Sequence, residues 1–193
     1  MINVNTGFPI FFKHIADYTS ITGNDFEDII TYFTKVNLKK GDALIRMGDK
    51  VDNTYWVLKG LLISNYTDDT GNTYVIQFAN EGCWITDQQA FYYRGRAIFD
   101  IICLEHTELF SISFEDREKL CSDIPKMGDF FRKKINESYV KQQKRLLTYM
   151  TKDATERFNI LRNDYPELFQ RVSKKLLAAY LGVSRETLSR LKK

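Results

Sequence analysis

The chain of 193 residues has only three cysteines and two histidines, two residue types that often build metal centres, disulfide frameworks and nucleophilic active sites. Its three cysteines, Cys83, Cys103 and Cys121, are odd in number, far apart and form no Cys-x-x-Cys pair. This spacing argues against a zinc site, an iron–sulfur cluster or a disulfide framework. His14 and His106 stand apart from any Ser, Cys or paired carboxylate at a useful spacing. No catalytic constellation, metal site or cofactor is therefore predicted, and the chain is not expected to be an enzyme.

Long apolar segments are also missing. No stretch approaches the about 18 consecutive apolar residues of a membrane span. The N-terminal residues lack a basic flank followed by an apolar run, which would indicate a secretory signal. We therefore expect a cytoplasmic protein without membrane contact, long enough to form one or two domains with a sizeable core.

Charge is distributed unevenly along the chain, although the formal total is only +3. Residues 1–125 contain 11 Lys and Arg against 18 Asp and Glu, a net −7. Residues 126–193 contain 17 against 7, a net +10. The basic end indicates a surface that binds a polyanion such as nucleic acid.

Residues 173–193 have the pattern of two short helices separated by one glycine. Gly182 supplies the backbone freedom of a tight turn, and the Ser184 hydroxyl can cap the helix that follows. An apolar stripe at helical spacing faces inward from both helices: Leu177, Ala178, Leu181, Leu188 and Leu191. Ala178 is small enough to let the second helix cross closely, so the pattern predicts a helix-turn-helix.

The outward face of the second helix carries Arg185, Glu186, Ser189 and Arg190. An arginine matches the two acceptors of guanine, and a carboxylate can accept from the amine of cytosine, so these side chains can read bases in a major groove. Basic residues beside them can supply phosphate contacts and make binding sensitive to salt: Lys174, Lys175, Lys192 and Lys193. The alternative is an ordinary helical hairpin with a charged solvent face.

Residues 36–112 are rich in short β-prone runs separated by turn signals. The runs are Ala43–Met47, Thr54–Leu58, Leu61–Asn65, Thr73–Phe78, Ile98–Leu104 and Glu108–Ile112. Many short strands at regular spacing predict a β-roll or barrel. Two short helices are expected before it, near residues 8–18 and 24–34, the second beginning at Asn24 or Asp25.

A long amphipathic helix is predicted after Pro125. Its apolar face consists of Met127, Phe131, Ile135, Tyr139, Leu146 and Met150. About 24 residues make a helix of roughly 36 Å, which a small barrel cannot cover, so we expect the same helix of a second subunit to cover it. The alternative is a helix packed only on its own barrel. Gln142, in the middle of this seam, either sets the register or faces a cavity.

A capping box, Asp153-Ala-Thr-Glu156, follows the long helix. It predicts a break at residues 151–153, which is a candidate hinge, and a new helix over residues 154–164. Tyr165-Pro166 ends that helix before the helix-turn-helix.

The whole order of elements resembles the Crp/Fnr family of transcription factors over nearly the full chain. In the N-terminal half the resemblance rests on residues 41–48, 55–60 and 104–112, which match the β-roll glycines and strand ends of a cyclic nucleotide-binding domain. In the C-terminal half, Val183-Ser-Arg-Glu-Thr-Leu-Ser-Arg190 is nearly the family's recognition-helix signature and is the more specific match.

This resemblance implies an α+β fold: an N-terminal double-stranded β-helix, or jelly roll, then a long dimerisation helix and a C-terminal helix-turn-helix domain. The expected division is 1–122, 123–152 and 153–193, without a full wing, because the sequence stops two residues after Leu191. The implied function is a homodimeric regulator that binds an inverted-repeat operator in double-stranded DNA and acts with RNA polymerase. Arg185, Glu186 and Arg190 then read bases, while Ser184 and Thr187 touch phosphates.

The sequence departs from the family at the effector pocket. Members that bind cyclic AMP place Gly-Glu at the start of a short helix and Arg-Ser on the next strand. Thr86 and Asp87 stand for the first pair here, and Ala97 and Ile98 for the second, so the cation for the phosphate is missing. Arg96 is one residue out of register, which in a strand turns a side chain to the opposite face.

The candidate effector-pocket residues are Trp84, Asp87, Gln88, Arg94, Arg96, Ile98 and Gln142. A shifted loop could still bring Arg94 or Arg96 into the pocket. We nevertheless predict that cyclic AMP is not the effector, and that Trp84, Phe91 and Ile98 are buried around a less charged ligand or in a filled pocket. The alternative function is a sensor whose main activity is to bind a cyclic nucleotide or another small ligand.

Overall fold

The computed structural model describes residues 7–191, which form an α+β fold. In chain order its elements are α1 (Phe8–Ala16), α2 (Gly23–Ile30), β1 (Thr34–Leu38), β2 (Ala43–Ile45), β3 (Asn53–Lys59), β4 (Leu62–Thr67), β5 (Thr73–Ala79), β6 (Trp84–Ile85), α3 (Gln88–Tyr93), β7 (Asp100–Cys103), β8 (Thr107–Ser113), α4 (Phe114–Asp123), α5 (Pro125–Thr151), α6 (Ala154–Asp164), α7 (Leu168–Arg171), α8 (Lys174–Leu181) and α9 (Arg185–Leu191). None of the helices within residues 7–191 is both long enough and apolar enough to cross a membrane.

The strands form two antiparallel four-stranded sheets, in the orders β1-β8-β3-β6 and β2-β7-β4-β5. The sheets enclose an apolar core that includes Val57, Phe91, Ile101 and Leu109, all fully buried. The predicted jelly roll is therefore confirmed. Each of the six predicted runs overlaps a strand, but β1 and the two-residue β6 were not predicted.

The turn between β3 and β4 requires a glycine and contacts the C-terminal helices. Gly60 has φ +109°, and a Cβ there would lie 2.7 Å from the His106 carbonyl oxygen and from the Thr107 Oγ1. The next residue, Leu61, is fully buried and packs in the core of helices α6–α9. This turn therefore contributes a roll residue to the C-terminal core.

A second, aromatic core lies between the outer face of the roll and helices α1, α2, α4 and α5. Trp56 and Phe110 stack at 6.0 Å within it. Met127 and Phe131, at the start of α5, are 0% and 7% exposed in this core. The prediction that these two residues lie at a dimer interface is therefore corrected, because their side chains are already covered within one protomer.

The starts of α2, α4 and α5 differ from the sequence prediction, and the short α7 was not predicted. Thr22, rather than Asn24 or Asp25, caps α2: its hydroxyl accepts from the Asp25 amide at 3.2 Å, and the Asp25 carboxylate accepts from the Thr22 amide at 2.8 Å. Helix α4 was not predicted, and it begins where the Ser113 hydroxyl accepts from the Asp116 amide at 3.0 Å. Helix α5 then begins at Pro125 itself and has 27 residues.

The predicted break after the long helix is present. Lys152 is extended, with φ −108° and ψ 143°, and ends α5. The Asp153 carboxylate accepts from the Glu156 amide at 2.9 Å, and the Glu156 carboxylate accepts from the Asp153 amide at 3.1 Å. Two extended residues, Lys152 and Asp153, therefore separate α5 from the capped α6.

Candidate nucleic-acid interface and effector pocket

Helices α8 and α9 form the predicted helix-turn-helix. Leu177, Ala178 and Leu181 on α8 are buried against Leu188 of α9 and the helices before them. Gly182 ends α8 in the left-handed region, with φ 66° and ψ 39°. The turn is therefore of the kind that favours glycine.

The turn of the helix-turn-helix touches the last turn of α5. A Cβ on Gly182 would lie 2.4 Å from the hydroxyl oxygen of Tyr149. Arg157 of α6 lies over the same tyrosine ring, 5.0 Å from its centroid. The long helix, the linker and the turn before α9 therefore pack as neighbours.

The start of α9 is capped by hydroxyls. Ser184 Oγ accepts from the Thr187 amide at 3.1 Å, and the two hydroxyl oxygens are also 3.1 Å apart. Because the Ser184 hydroxyl also bonds to the Glu186 carboxylate, the Thr187 hydroxyl is left to donate to Ser184. Leu188, fully buried, fixes the opposite face of the helix on α8.

The outward face of α9 presents exposed polar side chains, as predicted from the spacing: Arg185, Glu186, Ser189 and Arg190. The local backbone amide and the Ser184 hydroxyl hold the pKa of the Glu186 carboxyl below its ordinary value. The carboxylate is therefore an acceptor at neutral pH. Lys174 and Lys175 are exposed at the start of α8, whereas Lys192 lies outside the described residues.

The second half of the long helix has an exposed apolar stripe. Ile135, Tyr139, Leu146 and Met150 are 47%, 62%, 61% and 74% exposed. Val140 and Leu147 beside them are exposed as well, at 61% and 62%. Of the predicted interface, these C-terminal members are thus uncovered in a single protomer.

Gln142 lies at the border of this stripe. Its Nε2 donates to Oε1 of Gln77 on β5 at 3.3 Å, so it contacts the outside of the roll. Next to it, Arg145 donates from Nη2 to the Val75 carbonyl oxygen at 2.8 Å. A shallow cleft lined by both residues separates α5, β5 and α8. Gln142 is therefore not among the residues around the roll interior.

Asp87 is the central residue of the predicted effector pocket. Its side chain is fully buried and caps α3. One carboxylate oxygen accepts from the Ala90 amide at 3.1 Å and the other accepts from the Ile98 amide at 2.8 Å. The carboxylate thus bridges the first turn of α3 and the segment in which the family places its Arg-Ser pair.

The two arginines near this site have partners elsewhere. The backbone of Arg94 is in the left-handed region, with φ 57°. Its guanidinium pairs with Glu115 and, at 3.7 Å, with Asp52. Arg96 donates from Nη1 to the Gly48 carbonyl oxygen at 2.8 Å. Both guanidinium groups are therefore engaged by groups other than the Asp87 site.

Three further predicted pocket residues lie outside the roll interior. Trp84 belongs to the aromatic core, where its Nε1 donates to Nε2 of His14 at 3.1 Å. Gln88 is exposed on α3. Ile98 is 48% exposed, so the prediction that it is buried was wrong, whereas Phe91 is fully buried as expected. Among residues 7–191, no group of three or more His, Cys, Asp or Glu could hold a metal ion.

An ionic cluster that the sequence did not predict joins the C-terminal helices to the roll. Nη1 and Nη2 of Arg171 donate to the two carboxylate oxygens of Glu81, both at 2.9 Å. Nε and Nη2 donate to the two oxygens of Glu105 at 3.0 and 2.7 Å. Glu81 also accepts from the Gly60 amide at 2.9 Å. We call Arg171, Glu81 and Glu105 the Arg171 clasp.

The charges of the clasp stabilise one another. Hydrogen bonds from Arg171 hold the pKa of Glu105 below its ordinary value. Partial burial acts to raise the pKa of Glu81, but hydrogen bonds from Arg171 and from backbone amides outweigh it and the pKa is lowered. Both partners are therefore carboxylates at neutral pH.

Comparison with known proteins agrees with this architecture. Residues 35–123 match the family model of the cyclic nucleotide-binding domain. The transcriptional regulatory protein btr of Bordetella pertussis is 22% identical over 169 residues, which cover 81% of this chain and 69% of that protein.

Solved structures that are similar in fold over most of the chain include the following two. The c-di-GMP responsive global regulator CLP of Xanthomonas campestris has a TM-score of 0.72 at 18% identity and covers 88% of this chain and 89% of its own. FixK2 of Bradyrhizobium japonicum has a TM-score of 0.69 at 16% identity and covers 83% and 82%. The fold predicted from the resemblance is therefore confirmed, and the chain is similar in sequence to a transcriptional regulatory protein.

Proposed function

We propose that this chain, with a cyclic nucleotide-binding-like roll and the fold of the Crp/Fnr regulators, is a sequence-specific DNA-binding transcriptional regulator rather than an enzyme. The observation that carries the proposal is the outward face of α9. It presents two guanidinium groups and a carboxylate on a short helix whose other face is buried through Leu188. A helix of this kind fits a major groove with its N-terminal residues at the base edges.

The chemistry of the face assigns the roles. Arg185 and Arg190 can each donate two hydrogen bonds to guanine, and the ionised Glu186 can accept from the amine of cytosine. Ser184 and Thr187, at the start of α9, are proposed to touch phosphates. Lys192, outside the described residues, is proposed to add a phosphate contact.

We propose that the protein acts as a homodimer. The exposed stripe from Ile135 to Met150 covers 15 residue steps, or about 22 Å of helix, and is apolar without a cover in the single protomer. In a second copy related by a two-fold axis, the same stripe can pack against the first and cover it. Two copies of α9 would then read an inverted repeat. RNA polymerase remains a proposed partner on the resemblance alone.

We propose that the roll does not use cyclic AMP as an effector. The Asp87 carboxylate already accepts from the Ala90 and Ile98 amides in a fully buried position. A cyclic phosphate placed there would meet a buried negative charge and would lose those two donors. The packed roll interior and the engagement of Arg94 and Arg96 by other partners argue in the same direction. These observations also disfavour the alternative of a nucleotide sensor.

Selection of bound sequences from a random DNA pool tests the proposed function. We expect a palindromic consensus from the wild type. Arg190→Ala and Glu186→Ala should each relax the preference at one base pair per half-site and cost about 1–3 kcal/mol there. Lys144→Gln, which removes an exposed charge from the long helix, is the control and should keep the consensus. No consensus from the wild type, or an unchanged one from both α9 variants, would refute the proposal.

A further inference from the structure

The Arg171 clasp holds the beginning of the helix-turn-helix. Arg171 is the last residue of α7, and the amide of Val172, the residue after it, donates to the Leu168 carbonyl oxygen at 2.8 Å. Ser173 then caps α8 directly. Only two residues therefore separate the clasped guanidinium from the first turn of α8, so fixing one fixes the other.

The far end of α8 is held by a different contact. Tyr180 packs on Phe78 of β5 with ring centroids 5.1 Å apart, and the guanidinium of Arg145 on α5 lies 4.1 Å from the Tyr180 ring centroid. Helix α9 rests on α8 through Leu188. With both ends of α8 held, the outward face of α9 has one direction relative to the roll and to α5.

Without these contacts the C-terminal helices could turn about the linker. Lys152 and Asp153 are both extended between α5 and α6, so the covalent connection alone does not define an angle. The buried Leu61 contact is apolar and non-directional. The four hydrogen bonds of the clasp are directional, because the planar guanidinium meets two carboxylates in a fixed fork geometry.

We propose that Arg171 is a positioning residue for operator reading: its clasp to Glu81 and Glu105 sets the angle of α8 and α9 against the long helix, and thereby the half-site spacing that the dimer recognises. The inference rests on the proposed function of α9 and of the dimer. Glu81 precedes β6 and Glu105 precedes β8, so the clasp also links the orientation of α9 to two loops of the roll.

The physical effect of the clasp is preorganisation. A dimer that holds both copies of α9 at one separation binds its operator without first ordering them. If the competent fraction falls to a tenth when the clasp is lost, the apparent affinity for the full operator falls about tenfold. Binding of one α9 to an isolated half-site needs no such ordering, so it should not change.

The test measures DNA affinity against spacing. Wild type, Arg171→Gln and Arg171→Lys are titrated with the selected palindrome, with palindromes whose half-sites are one or two base pairs closer or farther apart, and with a single half-site. Arg162→Gln is the matched control, because it removes the same charge from an exposed position on α6. We expect a sharp spacing optimum for the wild type and for the control.

Both Arg171 variants should bind the best palindrome about tenfold more weakly and discriminate less between spacings, while their half-site affinity stays within about twofold of wild type. Hydrogen exchange gives a reading independent of DNA: amides of residues 80–82 and 172–176 should exchange faster, with the roll core unchanged. If Arg171→Gln does not fold, Glu105→Gln, which weakens one half of the clasp, should show the same pattern to a smaller extent.

The outcomes separate the inference from the proposed function. A wild type that binds no palindrome refutes the proposed function, and the inference with it. A wild type that binds normally while Arg171→Gln keeps its sharp optimum, or binds more tightly, overturns only the inference. An equal loss on the half-site and on the palindrome overturns it as well, because Arg171 would then support the domain's folding rather than its direction.

Discussion

The substitution Ile135→Glu should dissociate the proposed dimer. Ile135 lies in the uncovered stripe of α5, beyond Met127 and Phe131, which are buried in their own protomer. A two-fold contact between two long helices brings the same position in from both chains, so one substitution introduces two charges. The single protomer keeps its fold, since the side chain is already in contact with solvent.

The magnitude follows from the exposed fraction of the side chain. Full burial of an isoleucine contributes about 1.5–3 kcal/mol. Because Ile135 is 47% exposed in the protomer, dimerisation adds about half of that, or about 2 kcal/mol for the two copies. Its loss alone weakens the dimer about thirtyfold, and the burial of two unpaired carboxylates raises the effect above about a hundredfold.

Sedimentation equilibrium across the micromolar range measures this dissociation. Lys144→Gln is the control: it lowers the charge of each chain by the same one unit, but it lies nine residues further along α5 and so on the opposite side of the helix. It should dimerise like the wild type. A monomeric wild type, or an Ile135→Glu protein that dimerises as tightly as the wild type, would refute the reasoning about the stripe.

Four further outcomes are expected. Burial, with Lys134 nearby, lowers the pKa of His14 from 6.5 to about 4. As the pH falls from 6.5 towards 4, the unfolded chain therefore takes up a proton that the folded chain does not. Denaturant titrations should show that the free energy of unfolding falls by about 1 kcal/mol between pH 7 and 5, after a discount for partial exposure, and that this fall is absent in His14→Gln. Asp87→Asn should destabilise the roll by about 2–3 kcal/mol in the same assay, because the two backbone donors bind different carboxylate oxygens and an NH2 group in place of one oxygen cannot accept. Calorimetric titration of the wild type with cyclic AMP should show no binding, and micromolar affinity would contradict the proposal that cyclic AMP is not the effector. Leu188→Ala should cost about 3–4 kcal/mol by denaturant unfolding and weaken DNA binding, whereas an unchanged midpoint would argue against its role in seating α9.

The parts of the fold that the sequence predicted are those set by local patterns. The turn at Gly182, the cap at Ser184 and the capping box at Asp153 each depend on residues within a few positions of one another. Six of the strands were recognised because β-prone runs and turn signals alternate. Helix α4 was not predicted because its apolar pattern is weak: Leu120 is its one buried residue, and the Ser113 cap is the main local signal.

The contacts that define the candidate sites could not be read from the sequence because they join distant positions. Arg171 meets residues 66 and 90 positions away, and nothing near it along the chain points to them. Alignment with the family motif identified Asp87 as an effector-pocket residue. Nothing in the sequence indicated that backbone amides would donate to both oxygens of its carboxylate. The apolar spacing of α5 predicted one continuous stripe. It could not show that the aromatic core of the roll covers the first two members, Met127 and Phe131.

The position of Leu61 has a consequence for how the molecule unfolds. This residue belongs to the roll in sequence, yet it fills part of the core around Phe158, Leu177 and Leu188. A fragment that contains only residues 153–193 would have an open apolar hole where Leu61 sits. The C-terminal helices are therefore thermodynamically dependent on the roll. Melting should proceed as one cooperative transition, and mutations that loosen the β3–β4 turn should lower the stability of helices more than a hundred residues away.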